Sequence, residues 1–378
     1  MLKRFLEKQQ RHFKPGGKLA LLQPLFEMTD SFLYTTGNTA QGNVHLRDAL
    51  DLKRMMSVVV LSLLPCFFMA LYNTGLQANL ALQNLAGATA AGWRGALISW
   101  LGCGYDPAGL SANIVHGALY FFPVYIVCVI AGGLCEIIFA VLRRHEVNEG
   151  FFVTSFLLPL ILPPTIPLWQ VALATIFGVV IGKEVFGGTG MNIFNPALVT
   201  RAFLFFAYPA QFSGPSVWVA VDGYSSATPL SLAALEGYAA TGHTWWQSFL
   251  GTIPGSMGET STLACLIGAL ILIVSGIASW RIMLAALAAL AATALMFNLI
   301  GSSGNPMFAM PAHWHLVLGG FAFGTVFMAT DPVSAAQSER GRYYYGALIG
   351  FLTVMVRVVN PAYPDGIMLA LLTVILPP

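Results

Sequence analysis

One short run of polar residues in this chain combines an acid, a glycine and several hydroxyls. The run is Asp222-Gly223-Tyr224-Ser225-Ser226-Ala227-Thr228, and no Lys or Arg occurs between Arg201 and Arg281 on either side of it. A glycine-led turn exposes the side chains that follow it, and Ser and Thr hydroxyls both donate and accept hydrogen bonds. The run is therefore the first candidate for a site that holds a ligand.

The composition indicates that the elements around this run are transmembrane helices. The chain is 57% hydrophobic and 9% charged, whereas soluble domains carry about 25% charged residues. Nine of the 18 Lys and Arg residues precede Met55. Beside a hydrophobic segment, such a basic arm is typical of the positive-inside rule rather than of nucleic-acid binding. The first apolar run begins near Met55 and is too long for a cleavable signal peptide.

The pattern predicts an all-α, polytopic membrane protein with about ten transmembrane helices, since a span needs ~20 apolar residues. The predicted spans are Met55–Leu76, Ala118–Leu142, Gly150–Leu168, Gln170–Phe186, Asn195–Tyr208, Thr262–Ser279, Ile282–Ile300, His313–Ala329, Tyr345–Val356 and Gly366–Leu376. Several are short or contain Pro or Gly. Arg201 and Arg357 fall within or at the ends of spans, where they need partners.

The basic residues also predict the orientation. They cluster before the first span and in alternate connections, whereas the connections 77–117, 209–261 and 301–312 contain only Arg94. This alternation places both termini in the cytoplasm. We therefore expect residues 1–54 to form a cytoplasmic arm and residues 55–378 a ten-helix domain, with 209–261 as an outer-side loop that carries Thr228.

Three pairs of motifs suggest an inverted repeat. The pairs are Gly188–Ala197 with Gly301–Ala312, Ala227–Ser231 with Ala329–Ser334, and Asn195–Ala197 with Asn360–Ala362. On the predicted topology, the members of each pair lie on opposite sides of the membrane, as expected when two halves meet at broken helices. Any one motif could simply end a helix. Together they favour a buried site, because Gly, Asn and Pro backbone at membrane depth must be buried or line a cavity.

Two acids within the membrane region are candidates for chemistry with cations. Glu136 follows Gly132-Gly133 near the inner end of the second span. Paired glycines let a flat ligand or a neighbouring helix approach the backbone, and the nearby carboxylate favours a ligand site. Asp331 could pair with a cation or a proton, or it could cap the turn before Pro332. No soluble-enzyme motif such as H-E-x-x-H or G-x-S-x-G occurs in a usable context.

The run at 222–228 resembles the flavin-attachment motif D-G-x-(S/T)-G-A-T, with Ser226 in the place of the second Gly. In a ten-span protein, this motif is similar to that of the family containing the B subunit of the bacterial sodium-translocating NADH:quinone oxidoreductase and the D subunit of the Rnf complex. The arm resembles that of the B subunit, whereas the Rnf protein lacks such an arm. Further segments that match are Phe13–Lys18, His45–Asp48, Asp51–Arg54, His145–Phe151, Gly188–Gly190, Asn192, Asn195–Leu198 and Thr330–Ser334.

The resemblance implies that Thr228 carries FMN through a phosphoester bond installed by a flavin transferase from FAD. Asp222, Ser225 and Ala227 would belong to the attachment motif, with Asp222 read by the transferase or binding its metal. In this family the covalent bond retains the cofactor, and the flavin supplies the redox chemistry.

The resemblance also implies two inner sites. A non-covalent riboflavin is expected against Asn192 and Asn195, whose amides can donate and accept hydrogen bonds. Quinone is expected near Gly132, Gly133 and Glu136, with the N-terminal arm as a lid.

The implied function is that of a subunit of a sodium-transporting NADH:quinone reductase in the bacterial inner membrane. Electrons would pass from the C subunit to this FMN, then to riboflavin and quinone, with Glu136 and Asp331 coupling the reaction to Na⁺. The partners would be the A, C, D, E and F subunits, especially C, and we expect neither a fixed metal site nor a nucleic-acid partner. The alternatives are the D subunit of an Rnf complex and a channel or carrier for a small polar solute.

Overall fold

The computed structural model describes residue 13 and residues 52–85, 89–143, 150–221, 223–360 and 365–374. The predicted arm therefore lies almost entirely outside the described residues, as does Asp222. All regular secondary structure in the described part is helical, which confirms the predicted all-α class.

The α-helices differ widely in length, from one turn to more than 30 residues. They are α1 (Leu52–Asn84), α2 (Gly92–Leu101), α3 (Leu110–Arg143), α4 (Gly150–Leu160), α5 (Leu168–Gly182), α6 (Pro196–Ala207), α7 (Pro209–Ser213), α8 (Pro229–Glu236), α9 (Trp245–Leu250), α10 (Thr262–Val274), α11 (Trp280–Ile300), α12 (Ala312–Val317), α13 (Phe321–Phe323), α14 (Glu339–Val359) and α15 (Ile367–Thr373). Short 3₁₀ helices cover Glu184–Phe186, Tyr238–Thr241 and Pro306–Ala309.

Each of the ten predicted spans contains helix, which confirms a polytopic membrane protein. Within the described residues, four segments are long and apolar enough to cross a membrane, namely α1, α3, α5 with its following 3₁₀ turn, and α11. The apolar helices α4, α6 and α10 are shorter, with 11, 12 and 13 residues. At ~1.5 Å per residue, a 12-residue helix covers roughly 18 Å of a ~30 Å hydrocarbon core. Irregular backbone must complete these crossings.

The eighth predicted span is the most irregular. It begins with α12, and Gly319 at φ +69° then separates α12 from α13. Helix α13 passes directly into a π-helix at Gly324–Met328, all of whose residues are buried. Short π-helical segments are uncommon and often lie at functional sites.

Contacts between helices repeat in the two halves of the chain. In the first half, α3 packs on α5 and α5 on α6. In the second half, α11 packs on α14 and α14 on α15. Across the halves, α1 contacts α10 and α6 contacts α15. This arrangement supports the predicted internal repeat, because the equivalent helices of the two halves meet each other.

Helices α1 and α10 run antiparallel, as an inverted repeat requires. Asn73 Nδ2 donates to Thr260 Oγ1 at 3.3 Å, and Cys66 Sγ lies 3.8 Å from Cys265 Sγ. An ideal Cβ on Gly268 would lie 2.5 Å from a backbone oxygen of α1, so the two helices are in close contact. We use "inner" for the end where α1 begins and "outer" for the opposite end, following the predicted orientation.

The 209–261 connection, predicted as a loop, contains α7, α8 and α9. Leu230 and Met257 within it belong to the hydrophobic core. Its backbone also bonds to the C-terminal end of α4, where Gly258 N donates to Leu160 O at 2.7 Å. The connection is thus a folded cap on the outer end of the bundle.

Candidate functional site

A cavity of about 210 Å³ lies beneath the folded cap at the outer end. Thr228 and Pro229 line it from the start of α8, and Gly319 and Gly320 line it from the irregular eighth span. The remaining wall combines aromatic and charged side chains. Those that bear on the chemistry are Phe205, Phe212, Trp218, Arg201, Glu259 and Asp365.

Thr228 is the N-cap of α8. Its Oγ1 accepts from Ser231 N at 3.2 Å and shares a hydrogen bond of 2.8 Å with Ser231 Oγ. Thr before Pro229 dictates this arrangement, because Thr favours the N-cap and Pro favours the first helical position. The positive end of a helix dipole stabilises an anion. A phosphate attached to Thr228 Oγ1 would begin at such an end.

The remaining residues of the attachment motif have different surroundings. Gly223 has φ +77°, a conformation that favours glycine. Ser226 N donates to Pro215 O at 2.8 Å, which ties the run to the segment before it. Ser225 is exposed and Ala227 is half-buried. Neither lines the cavity, so Thr228 is the described motif residue that does.

A buried ion cluster forms one wall of the outer cavity. Arg201, on α6, donates to Glu259 Oε1 and to Asp365 Oδ2, the latter at 2.6 Å. The side chains of Arg201 and Glu259 are each 5% exposed. The predicted need of Arg201 for partners is met. The two carboxylates themselves were missed, because they lie in irregular segments far away in the sequence.

Arg357, the second arginine predicted to need partners, is fully buried. It donates to the backbone oxygens of His315 at 2.7 Å and Leu318 at 2.9 Å. These carbonyls lie in α12 and at its C-cap, where the helix breaks. A guanidinium thus satisfies part of the backbone that the break would otherwise leave unpaired.

A second, partly open cleft of about 60 Å³ lies at the inner end. The start of α1, the end of α10, the N-terminus of α6 and the segment after the π-helix meet around it. Its lining includes Asn192, Asn195 and Asp331, together with Thr189 and Lys183. The structure therefore brings Asp331, which the sequence singled out as an acid, into the same cleft as the two asparagines expected to contact riboflavin.

Asn195 connects the two halves of the chain at this cleft. Its Oδ1 accepts from Ala197 N at 2.9 Å and caps α6, while its Nδ2 donates to Asp331 Oδ2 at 3.1 Å. Asp331 also accepts from Val333 N at 3.1 Å and from Ser334 Oγ at 3.0 Å. Asp331 thus caps a turn, as one of the two predicted alternatives holds, and it also lines the cleft. Its pairing with a cation or a proton stays a prediction.

The other polar groups of the cleft retain hydrogen-bonding capacity. Asn192 accepts from Gly190 N at 3.3 Å and donates to Phe194 O at 2.9 Å, which uses one donor and one acceptor of its amide. In the described part of the chain, the buried Thr189 Oγ1 has no hydrogen-bond partner. Such a group calls for a water or a polar ligand.

Glu136 belongs to an ion-pair network beside this cleft. It pairs with Lys183, and both side chains are 4% exposed. Arg143 pairs with the neighbouring Glu184, whose Oε2 lies 3.1 Å from Arg143 Nη1. Lys183 lies at the C-cap of α5 and also lines the inner cleft, so it links Glu136 to that cleft.

Gly132 is a site of helix packing. An ideal Cβ on Gly132 would lie 2.3 Å from the ring of Phe151 on α4, whereas one on Gly133 would lie 3.8 Å from that ring. The helix-packing alternative therefore describes Gly132 in this structure. The flat group against its backbone is a phenyl ring of the protein itself.

The comparisons with known proteins identify the family. A family model described as "NQR2, RnfD, RnfE family" matches residues 39–376. The chain belongs to the NQR2, RnfD, RnfE family. Within this family, it is 57% identical over 369 residues to a Chromohalobacter salexigens protein named as the B subunit of a Na(+)-translocating NADH-quinone reductase, covering 97% of this chain and 90% of that relative. Proteins of the same name from Stutzerimonas stutzeri and Pseudomonas aeruginosa are each 55% identical over 376 residues. Each alignment covers 98% of this chain and 93% of the relative.

The alignments with these relatives extend beyond the family model. The family model begins at residue 39. The alignments with the B-subunit proteins cover 97–98% of the chain and so include most of its first 38 residues. The likeness to these proteins therefore extends into the N-terminal arm.

Proposed function

We propose that this chain is the membrane subunit of a sodium-pumping NADH:quinone reductase that passes electrons from a covalent FMN, through riboflavin, to quinone. One observation carries the proposal: Thr228 caps a helix at the wall of a cavity. The full-length relatives, named as B subunits of such a reductase, supply the enzyme class.

The outer cavity suits a covalently attached FMN. Thr228 Oγ1 would form the phosphoester, and the N-terminus of α8 would stabilise the phosphate. Trp218 and Phe212 supply aromatic walls, against which a flat ring can pack. When bound, the flavin supplies electron transfer that amino-acid side chains do not provide.

The inner cleft suits the polar edge of a second flavin. Asn192 and Asn195 each keep one amide N–H and one oxygen lone pair beyond the hydrogen bonds described above. Thr189 adds a hydroxyl that lacks a partner within the described residues. At about 60 Å³, the cleft accommodates one edge of a flat ring rather than the whole ring. The remainder of a riboflavin would extend through its open side.

The two sites reach into the membrane domain from opposite ends. On α6, Asn195 lines the inner cleft and Arg201 the outer cavity, and six residues correspond to ~9 Å along a helix axis. Thr260, just before α10, lines the outer cavity, and Leu272 near the end of α10 lines the inner cleft; the helical stretch from Thr262 to Leu272 spans ~15 Å. Both separations are shorter than a ~30 Å hydrocarbon core. Two flavins placed in this way would shorten the distance that an electron must cross.

We place quinone and sodium at the inner end. Quinone would bind beside Gly133 and Glu136, and a ring lying against Gly132 would have to displace Phe151. Glu136 and Asp331 are the proposed carboxylates for sodium coupling, because hard cations prefer oxygen ligands. No group of three or more His, Cys, Asp or Glu side chains gathers as a metal site within the described ranges.

The proposed setting is the bacterial inner membrane, with a cytoplasmic N-terminus and the A, C, D, E and F subunits as partners. The C subunit would deliver electrons, and a flavin transferase would load Thr228. The alignments with the B-subunit relatives include most of the N-terminal arm, which favours the B subunit of the reductase over the Rnf protein. A solute channel or carrier is the alternative from another class. It predicts solute flux into liposomes by a chain without flavin.

Flavin fluorescence in a denaturing gel tests the proposal. The chain is expressed in a host that has the flavin transferase, as wild type, Thr228→Ala and Thr228→Ser. We expect a fluorescent band from the wild type and none from Thr228→Ala, because only a covalent flavin survives denaturation. Thr228→Ser keeps a hydroxyl and is the matched control for folding. A dark wild-type band, or fluorescence that persists in Thr228→Ala, would contradict the attachment site.

A further inference from the structure

Lys183 occupies a position that suits more than an ion pair. Its side chain is 4% exposed, pairs with Glu136 of α3 and lies 3.9 Å from Glu184 Oε1. It also lines the inner cleft. Among the described residues that line this cleft, Lys183 is the one cation.

The pairing around Lys183 leaves part of its ammonium available. Arg143 Nη1 lies 3.1 Å from Glu184 Oε2, and Arg143 Nη2 donates to the Glu184 carbonyl, so Glu184 already has its own cation. An ammonium carries three N–H donors. Among the described residues, the Lys183 ammonium makes one hydrogen bond, to Glu136, and Glu184 at 3.9 Å is beyond hydrogen-bond distance. Lys183 therefore keeps donors for a ligand in the cleft.

The apolar surroundings of the cleft strengthen the electrostatic effect of the Lys183 ammonium. Much of its wall is apolar, including Val59, Leu157, Leu272 and Phe327. A ligand that accepts electrons gains negative charge, and a nearby cation stabilises that charge more strongly in apolar protein than in water. A lysine also stabilises the C-terminus of α5, where it caps the helix. Capping α5 does not require Lys183 to line the cleft, so its position there is not explained by the cap alone.

We propose that Lys183 is a positioning residue for the redox ring in the inner cleft. Its ammonium donates a hydrogen bond to a carbonyl oxygen of the ring, and its positive charge stabilises the negative charge that electrons bring. The proposal rests on the function proposed above, in which a non-covalent flavin occupies this cleft. It adds an electrostatic link between the cleft and Glu136.

The test compares the assembled complex carrying wild-type chain, Lys183→Arg or Lys183→Met. Two quantities are measured, the affinity for added riboflavin and the midpoint potential of the non-covalent flavin. We expect Lys183→Met to bind riboflavin about tenfold more weakly or worse, the size expected for one hydrogen bond to a charged group. Its remaining flavin should have a lower midpoint potential. Lys183→Arg, which keeps the charge, should retain most of both properties.

The double variant Lys183→Met/Glu136→Gln separates positioning from simple neutralisation of a buried carboxylate. If Lys183 serves only to neutralise Glu136, removing both charges restores wild-type riboflavin affinity and potential, and the proposal is overturned. If Lys183 acts on the ring, the double variant stays deficient. In-gel fluorescence of the flavin on Thr228 shows in each case that the chain is folded.

Failure of this proposal can be told from failure of the proposed function. Wild-type complex with bound riboflavin, together with unchanged affinity and potential in Lys183→Met, overturns the role of Lys183 alone. Wild-type complex that neither contains nor binds riboflavin overturns the inner flavin and the role of Lys183 together.

Discussion

The ion cluster beneath the outer cavity allows a quantitative prediction for Arg201→Met. The Arg201 and Glu259 side chains are each 5% exposed, whereas that of Asp365 is 20% exposed. Methionine is unbranched and apolar, so it fills much of the space of the arginine without its charge. The substitution leaves Glu259 buried without its cation.

The expected loss follows from the burial. Breaking a buried ion pair by removing one partner typically costs about 3–5 kcal/mol. For a chain of 378 residues, an unfolding entropy of about 2.1 cal/mol/K per residue gives roughly 0.8 kcal/mol/K. The melting temperature of Arg201→Met should therefore fall by roughly 4–6 °C.

A second variant tests whether the buried charge causes this loss. Arg201→Met/Glu259→Gln removes the isolated carboxylate, and the more exposed Asp365 still accepts from Gly320 N at 3.1 Å. The remaining cost is that of lost hydrogen bonds, about 1–2 kcal/mol, or roughly 1–3 °C. The double variant should thus be more stable than the single one.

Thermal unfolding in detergent can be followed with a thiol-reactive dye. Four cysteines are buried and become reactive only when the helices separate; these are Cys66, Cys128, Cys135 and Cys265. The matched control is Arg281→Met, since Arg281 pairs at 3.1 Å with Glu339, which is 73% exposed. Exposed pairs contribute little, so this control should shift the melting temperature by less than about 1 °C.

Two results would refute the reasoning. Equal melting temperatures for Arg201→Met and Arg201→Met/Glu259→Gln would show that the isolated carboxylate is not the source of the loss. An Arg201→Met variant that melts within about 1 °C of the Arg281→Met control would show that burial does not strengthen the cluster.

Two further substitutions test the inner end. Gly132→Ala adds a Cβ 2.3 Å from the Phe151 ring, so quinone reduction and thermal stability should fall. Adding Phe151→Leu in the same chain should restore both properties. If it does not, the Phe151 ring is not the obstacle. Asp331→Asn keeps an oxygen that accepts from Val333 N but loses the negative charge. Quinone reduction should then need about tenfold more sodium, the size expected for one lost interaction with a charged group. Asp331→Ala should also destabilise the turn. An unchanged sodium dependence in Asp331→Asn would exclude this carboxylate from coupling.

The sequence predicted those features that depend on local chemistry. Apolar length predicted the helical segments, because a span must match the bilayer thickness. Thr228 and Asn195 were singled out because they belong to short sequence motifs, and each proves to be a helix N-cap before a Pro. Asp331 was recognised as an acid within the membrane region, next to the turn at Pro332. In each case, the signal lies within a few residues of the side chain concerned.

Contacts between distant segments were not predictable in this way. Arg201 is bonded to partners 58 and 164 residues away, and no local pattern specifies such pairs. The signal that did exist was the arginine itself, which cannot be buried in a span without a partner. For Gly132 the sequence left two alternatives, because a glycine admits a ligand and a neighbouring side chain equally well. Only the position of Phe151 distinguishes them.

Helix α6 shows why short, broken helices suit this arrangement. A continuous membrane-crossing helix of ~20 residues would place its ends about 30 Å apart. In α6, the N-cap Asn195 faces the inner cleft, and Arg201, six residues later, belongs to the outer ion cluster. Asn195 is also bonded to Asp331 in the other half of the chain. A displacement of this one helix would therefore change the hydrogen bonds of the inner cleft and the ion pairs of the outer cavity together.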